Sequence, residues 1–278
     1  MAQLVKLYDY ISRYETNPFH YPSRFIQLKQ DNWQHFFDRA NLTSYETNLT
    51  DVELDARKKQ LIQRFLNQLL PFQYKWATST LTHKSYTDKK YIHDDILTFF
   101  IQRFPDIYLV MYYPLFSVQK APIDGEIILI SPIGIEIIHV VQEVQDARVI
   151  INEQRTWQVE SNHDVVSIVS PLITLKRTEQ IVASILKLYD INLPIQKTVL
   201  SETNDFMYLT LPYRTNIVGK QEYKEWFTQK RALQSPLKNV QLRAMEALLK
   251  HCHSTYVRRP EWESDDDDSY MTVGSIGE

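Results

Sequence analysis

Asp124 and His139 are the residues of this sequence whose types and positions best suit chemistry on a substrate. Asp124 stands just before an apolar run from Glu126 to Ser131, and His139 lies in a second run from Ile135 to Gln142. A turn at Pro132-Ile133-Gly134 separates the runs, so an antiparallel hairpin is predicted. Both strands are rich in isoleucine, which is typical of strands that are covered on both faces.

Hydrolysis of a phosphodiester is one reaction that such a hairpin can support. It commonly uses two carboxylates that converge on a divalent metal ion, and a lysine that orients water or stabilises charge. Two residues at i and i+2 share one face of a strand, so a Glu-x-Lys sequence can supply the second acid and the lysine together.

Other elements must position the hairpin, and their order is clear from the apolar spacing and the turn residues. A loop is expected between the strand that ends at Tyr113 and the hairpin, and it extends through Gln119. The predicted elements are a helix from Asp94 to Arg103, a strand from Ile107 to Tyr113, a hairpin of Arg148 to Ile151 with Thr156 to Val159, a helix from about Leu175 to Tyr189, and a strand from Phe206 to Leu211.

This order of helix, strand, hairpin and covering helix is the core order of the PD-(D/E)XK nuclease-like fold. The segment APIDGEIILISPIGIEIIHVV also resembles the signature of the nuclease-related domain (NERD) family, and the similarity covers roughly residues 90 to 190. The resemblance implies an α/β fold, with a mixed β-sheet flanked by helices. It further implies that Asp124 matches the family's metal-binding Asp and that Asp94 or Asp95 supplies the helix acid.

His139 and Val141 stand where the family has its Glu and Lys, so two of the three hallmark positions on the hairpin differ. Each remaining candidate also has a structural interpretation. Asp124 is as consistent with a turn carboxylate bonded to local backbone as with a metal ligand. His139 suits a core histidine with a satisfied hydrogen bond, and Asp94 and Asp95 suit the dipole of a helix start.

We therefore expect a non-catalytic nuclease-like domain that acts as a binding or scaffold module, with DNA, RNA or a protein as its partner and no cofactor. The alternative is an active metal-dependent nuclease with a rearranged PD-(D/E)XK site. That enzyme would use Mg²⁺ or Mn²⁺ with Asp124 as a ligand, and Lys176 or Arg177 on the following helix would take the place of the family's Lys.

Residues 1–85 are predicted to form an N-terminal helical region with one strand, ahead of a nuclease-related domain at 86–259. Leu4 to Tyr14 has helical spacing, and a capping box of Thr50 and Glu53 opens a second helix that Pro71 should stop. Alternation from Tyr74 to Thr80 predicts the strand.

Charge is unevenly distributed over a chain whose net charge is -3. Residues 214–259 hold ten Lys and Arg against three Glu, and residues 260–278 hold seven acids and no base. A helix is predicted from Ser235-Pro236 to about His253. The predicted nucleic-acid contacts are Lys238, Arg243, Lys250, Arg258 and Arg259. The acidic tail is expected to be disordered, and it would compete with nucleic acid for this basic surface.

Composition excludes several classes of protein. The single cysteine, Cys252, excludes an intrachain disulfide and a cysteine-based metal cluster. The sequence starts without a secretory signal, and no apolar run reaches the ~18 residues of a membrane span. A cytoplasmic protein with no membrane contact and an undefined oligomeric state is expected.

Overall fold

The computed structural model describes residues 1–42, 51–118, 121–152, 154–161, 164–208 and 212–259. They form a mixed α/β fold in which helices flank a six-stranded sheet, as the sequence predicts. The helices are α1 (Arg13–Thr16), α2 (His20–Leu42), α3 (Asp51–Thr78), α4 (Asp95–Arg103), α5 (Pro171–Leu188), α6 (Tyr223–Ala232) and α7 (Asn239–Lys250). The strands are β1 (Gln3–Leu7), β2 (His83–Lys84), β3 (Leu109–Tyr112), β4 (Leu115–Val118), β5 (Ala121–Asp124), β6 (Ile127–Ser131), β7 (Gly134–Val140), β8 (Arg148–Ile151), β9 (Thr156–Glu160), β10 (Val165–Val169), β11 (Ile195–Leu200), β12 (Asp205–Tyr208), β13 (Thr215–Val218) and β14 (Val257–Arg258).

The central sheet has the strand order β1-β3-β6-β7-β11-β13. The β3–β6 and β6–β7 pairs are antiparallel, whereas β7–β11 is parallel. Helix α4 precedes β3, and α5 covers β7 and β11. The predicted order of helix, strand, hairpin and covering helix is therefore confirmed. Every residue of β6 is buried, as expected for a strand covered on both faces.

The turn of the central hairpin depends on Gly134, whose φ is 140°. A Cβ at this position would lie 2.6 Å from the Pro194 carbonyl oxygen and 2.7 Å from its Cγ. Both the backbone conformation and this close approach require glycine.

We expect Gly134→Ala to lower the free energy of unfolding by roughly 1–3 kcal/mol, because the strained φ and the contact with Pro194 both act on the folded state. Ile133→Ala is the matched control, since Ile133 lies in the same turn with 60% exposure and should change little. Urea unfolding of both variants gives the comparison, and equal stability of the two would contradict this role of Gly134.

The predicted helix from Leu4 to Tyr14 is wrong, because residues 3–7 form β1 at one edge of the central sheet. β1 pairs with β3 in parallel and all five of its residues are buried. A strand that is covered on both faces carries apolar residues on both, so the spacing of its apolar residues cannot distinguish it from a buried helix. Helix α3 matches the predicted second helix, whereas α2 was not predicted.

Three other boundaries also differ from the prediction. Helix α3 runs through Pro71 to Thr78, so the strand predicted from Tyr74 to Thr80 is wrong. Trp76 is fully buried against Phe72 on this last part of the helix, which offsets the cost of an internal proline. Part of the expected loop through Gln119 is strand β4, which pairs with β5. Helix α7 begins at Asn239, with Lys238 as its N-cap residue instead of Ser235.

A second, four-stranded sheet has the order β10-β9-β8-β12, and it contains the predicted hairpin of β8 and β9. Within the described ranges, no helix has the length and apolar character needed to cross a bilayer. The acidic tail, 260–278, lies outside the described residues.

Candidate functional site at the hairpin mouth

The open end of the β6–β7 hairpin, here called the hairpin mouth, brings Glu126 and His139 together. The register pairs Ile127 with Ile138, so the next residue on each side places Glu126 opposite His139. The Nδ1 atom of His139 lies 3.0 Å from Oε1 of Glu126, a distance at which the ring N–H donates to the carboxylate. The imidazole is therefore held by an acid of its own hairpin.

Glu126 is 6% exposed, yet only one of its carboxylate oxygens has a partner. Its backbone N–H donates to Oγ1 of Thr178 on α5 at 3.2 Å, which fixes the start of the strand. Its Oε2 atom is buried and has no hydrogen-bond partner within the described part of the chain. A buried carboxylate oxygen without a partner is costly, so this atom favours a hydrogen-bond donor or a cation as a ligand.

His139 is more accessible, with 29% of its side chain exposed. Thr174 at the start of α5 has its Oγ1 atom 3.5 Å from the same Nδ1, and that hydroxyl donates to the Pro171 carbonyl. The pair of Glu126 and His139 is thus an imidazole oriented by a carboxylate. Such a pair can accept or donate a proton or bind a polar group that reaches the mouth.

Asp94 lies at the N-terminus of α4 with both carboxylate oxygens satisfied. Oδ1 accepts the Leu97 N–H at 2.9 Å, and Oδ2 accepts the Tyr112 hydroxyl at 2.7 Å. Burial, followed by this hydrogen bond, raises the pKa of Tyr112. Asp94 therefore caps the helix, which is the structural interpretation considered for it.

Tyr113 follows β3 and lies within electrostatic reach of both Glu126 and Asp94. Its φ is 45°, an uncommon conformation for a residue with a side chain, and such backbone strain clusters at functional sites. Burial raises the pKa of Tyr113, and the carboxylates of Glu126 and Asp94 raise it further. Tyr113 therefore keeps its proton and remains a hydrogen-bond donor at this end of the sheet.

Asp124 lies on β5, outside the central sheet, and its side chain is exposed. Its backbone carbonyl accepts a hydrogen bond from Nη2 of Arg177 at 3.2 Å. Of the two cationic side chains proposed to replace the family's Lys, Arg177 thus lies next to this acid, although it contacts the backbone rather than the carboxylate.

Asp95 and Val141 line a different feature, a small cavity of about 130 Å³ at the carboxyl ends of β7 and β11. Glu202 and Tyr223 lie on its other side. Val141 is 3% exposed, so the strand offers an apolar wall where the resemblance implies a lysine.

The described residues do not fit the Mg²⁺ or Mn²⁺ centre that the resemblance implies. In the ranges that the structure covers, no group of three or more His, Cys, Asp and Glu side chains could hold a metal ion. Hard divalent cations need several oxygen ligands, and here the oxygens of Asp94 are already bonded while Asp124 lies on the separate strand β5.

The five predicted nucleic-acid contacts lie on or next to two elements, α7 and β14. Arg243 and Lys250 share one exposed face of α7: Arg243 donates to the Tyr189 carbonyl at 3.2 Å, and Lys250 lies over the ring of Tyr189. Lys250 also pairs with Glu246 at 2.7 Å. Lys238 lies at the other end of the helix, while Arg258 is on β14 and Arg259 follows it.

Glu126, Tyr113 and Thr174 are site residues that the sequence reasoning missed. The sequence did hold a signal for Glu126, since counting back from the Pro132-Ile133-Gly134 turn pairs residue 126 with residue 139. For Thr174 there was no comparable signal, because its position depends on how α5 packs against β7.

Comparisons with known proteins add one short similarity. No protein-family model matches the chain, and no solved structure matches it. A stretch of 34 residues is 62% identical to an RNA 2',3'-cyclic phosphodiesterase of Geobacillus stearothermophilus. The stretch makes up 12% of this chain and spans only 11% of that protein, so the two share a segment rather than a demonstrated domain.

Proposed function

We propose that this chain is a nuclease-related (NERD-type) domain that works as a binding or scaffold module, with nucleic acid as its favoured partner. One observation carries the proposal: His139, at the position of the family's Glu, is bonded to Glu126, and the position of the family's Lys is the buried Val141. The hairpin keeps its fold while the residues expected of a metal-dependent nuclease are replaced.

Charge and similarity support nucleic acid as the partner. Residues 214–259 carry seven more positive than negative charges, and Arg243 and Lys250 are exposed on one face of α7. Arg177 adds a guanidinium beside the hairpin mouth. The shared segment with an RNA 2',3'-cyclic phosphodiesterase makes RNA the first nucleic acid to test.

Binding and cleavage of a labelled single-stranded RNA and its DNA equivalent test this function. We expect affinity that falls steeply with salt, and no cleavage with Mg²⁺ or Mn²⁺. Arg243→Gln with Lys250→Gln should lower the slope of log affinity against log salt by about 2, roughly one for each lost phosphate contact. Lys59→Gln on α3, where the side chain is 75% exposed, is the control.

Salt-independent binding, or a slope that the double variant leaves unchanged, would count against nucleic acid as the ligand of this surface. If neither RNA nor DNA binds at low salt, nucleic acid is not the partner, and the module would bind a protein instead.

A metal-dependent nuclease with a rearranged site is the second candidate, and the unpartnered Oε2 of Glu126 favours it. In that enzyme Glu126 would replace the family's Glu, whose position is occupied by His139. Cleavage that requires Mn²⁺ and is abolished by both Asp124→Ala and Glu126→Gln would establish this candidate over the binding module.

A further inference from the structure

A groove lies where α2 and α3 meet the end of α4, away from the hairpin mouth. It has a volume of about 440 Å³, and Trp33, Phe65 and Leu66 form its apolar wall. Trp33 and Phe65 pack edge to face with their ring centroids 5.0 Å apart. This volume lies within the range of small-molecule sites, roughly 300–1,000 Å³.

The polar rim of the groove is cationic. Lys29, Arg103 and Arg231 line it, and no Asp or Glu is among its described lining residues. Lys29 is already neutralised, because it forms an ion pair with Asp106. Arg103 and Arg231 are exposed, and no ion pair with a carboxylate is formed by either within the described residues. The Arg231 guanidinium lies over the Phe227 ring, 5.6 Å from its centroid, which leaves its N–H groups free to bind an anion.

An arginine pair beside an aromatic wall suits one class of ligand best. Guanidinium groups bind phosphate with two parallel N–H bonds, and aromatic side chains bind the flat faces of bases by stacking. Gln30, which also lines the groove, offers an amide donor and acceptor for the edge of a base. A fatty acid would match the charge and the apolar wall, but it would use neither the amide nor the stacking surface.

We propose that this groove binds a nucleotide, with its base against the partly exposed Trp33, which the buried Phe65 supports, and its phosphate between Arg103 and Arg231. The ligand is either a free nucleoside monophosphate or the terminal nucleotide of a strand, since both present the same base and phosphate. The site is separate from α7 and from the hairpin mouth, so it does not depend on the function proposed for them.

Calorimetric titration of the full chain with AMP and with UMP tests the proposal, with adenosine, inorganic phosphate and octanoate as comparison ligands. We expect a nucleotide to bind more tightly than any of the three. Arg103→Gln with Arg231→Gln should weaken it by at least roughly tenfold, because both charge-assisted contacts to the phosphate are lost. Trp33→Leu should weaken it by a similar factor, roughly that of one lost stacking contact.

Arg155→Gln with Arg214→Gln is the matched control, since both arginines are exposed and neither lines the groove. This control should bind the nucleotides like the unmodified chain. Competition by a 5'-phosphorylated oligonucleotide, but not by its unphosphorylated form, would assign the site to strand ends; without competition it belongs to free nucleotides.

No binding of AMP or UMP at millimolar concentration would overturn the proposal. So would nucleotide affinity that survives loss of both groove arginines, or octanoate binding that depends on those arginines while nucleotides do not bind.

Discussion

Lys230→Met is expected to lower the free energy of unfolding by about 3–5 kcal/mol, the usual cost of removing one partner of a buried ion pair. The Lys230 ammonium lies 2.5 Å from Oε2 of Glu136, and their side chains are only 13% and 7% exposed. Without the lysine, the Glu136 carboxylate stays buried with hydrogen bonds from Thr198 and Trp226 but without a counter-charge.

Two further variants separate loss of the charge pair from loss of packing. Lys224→Met changes an exposed lysine of the same helix and should have little effect. Glu136→Gln with Lys230→Met removes both charges but keeps an acceptor for Thr198 and Trp226, so it should recover much of the stability. Urea unfolding measures all three, and equal stabilities of Lys230→Met and Lys224→Met would contradict the structural role of the pair.

Lys6→Met is expected to have an effect of similar size, about 3–5 kcal/mol, because it too removes the cation of a largely buried ion pair. Lys6 is fully buried on the edge strand β1, and its ammonium makes three contacts: Glu15 Oε1 at 2.6 Å, the Tyr10 carbonyl at 2.8 Å and Ser254 Oγ at 2.5 Å. One side chain thus joins β1 and α1 to a segment close to the end of the described chain.

The control for this variant is Lys89→Met, which changes an exposed lysine. Lys6→Met with Glu15→Gln should be more stable than Lys6→Met alone, since the unpaired carboxylate is gone. Thermal unfolding followed by circular dichroism compares these proteins. A melting temperature of Lys6→Met within a degree or two of the control would rule out the buried contacts as a source of stability.

The central hairpin could be predicted from the sequence because its signals are local. Proline and glycine mark the turn, and isoleucine-rich runs on both sides leave few alternatives. The edge strand β1 could not be predicted, since its pairing partner β3 lies about a hundred residues further along the chain. The buried Lys6 even argues against a covered strand until its three partners are known.

The candidate site was predictable only in part. His139 and Asp94 could be selected by type and position, but the partners that define their roles come from other elements. Tyr112 on β3 reaches Asp94 at the start of α4, and Glu126 meets His139 only at the fixed register of the hairpin. The aromatic groove gave no sequence signal, because Trp33, Arg103 and Arg231 come from three separate helices.

Anomalous scattering from a crystal soaked in Mn²⁺ tests most directly whether the hairpin belongs to a non-catalytic module or holds the metal centre of a nuclease. We expect no manganese peak near Asp124 or Asp94, with His139 still hydrogen-bonded to Glu126. A peak bound by the carboxylates of Asp124 and Glu126, with His139 released from Glu126, would contradict the binding-module function and establish the rearranged nuclease.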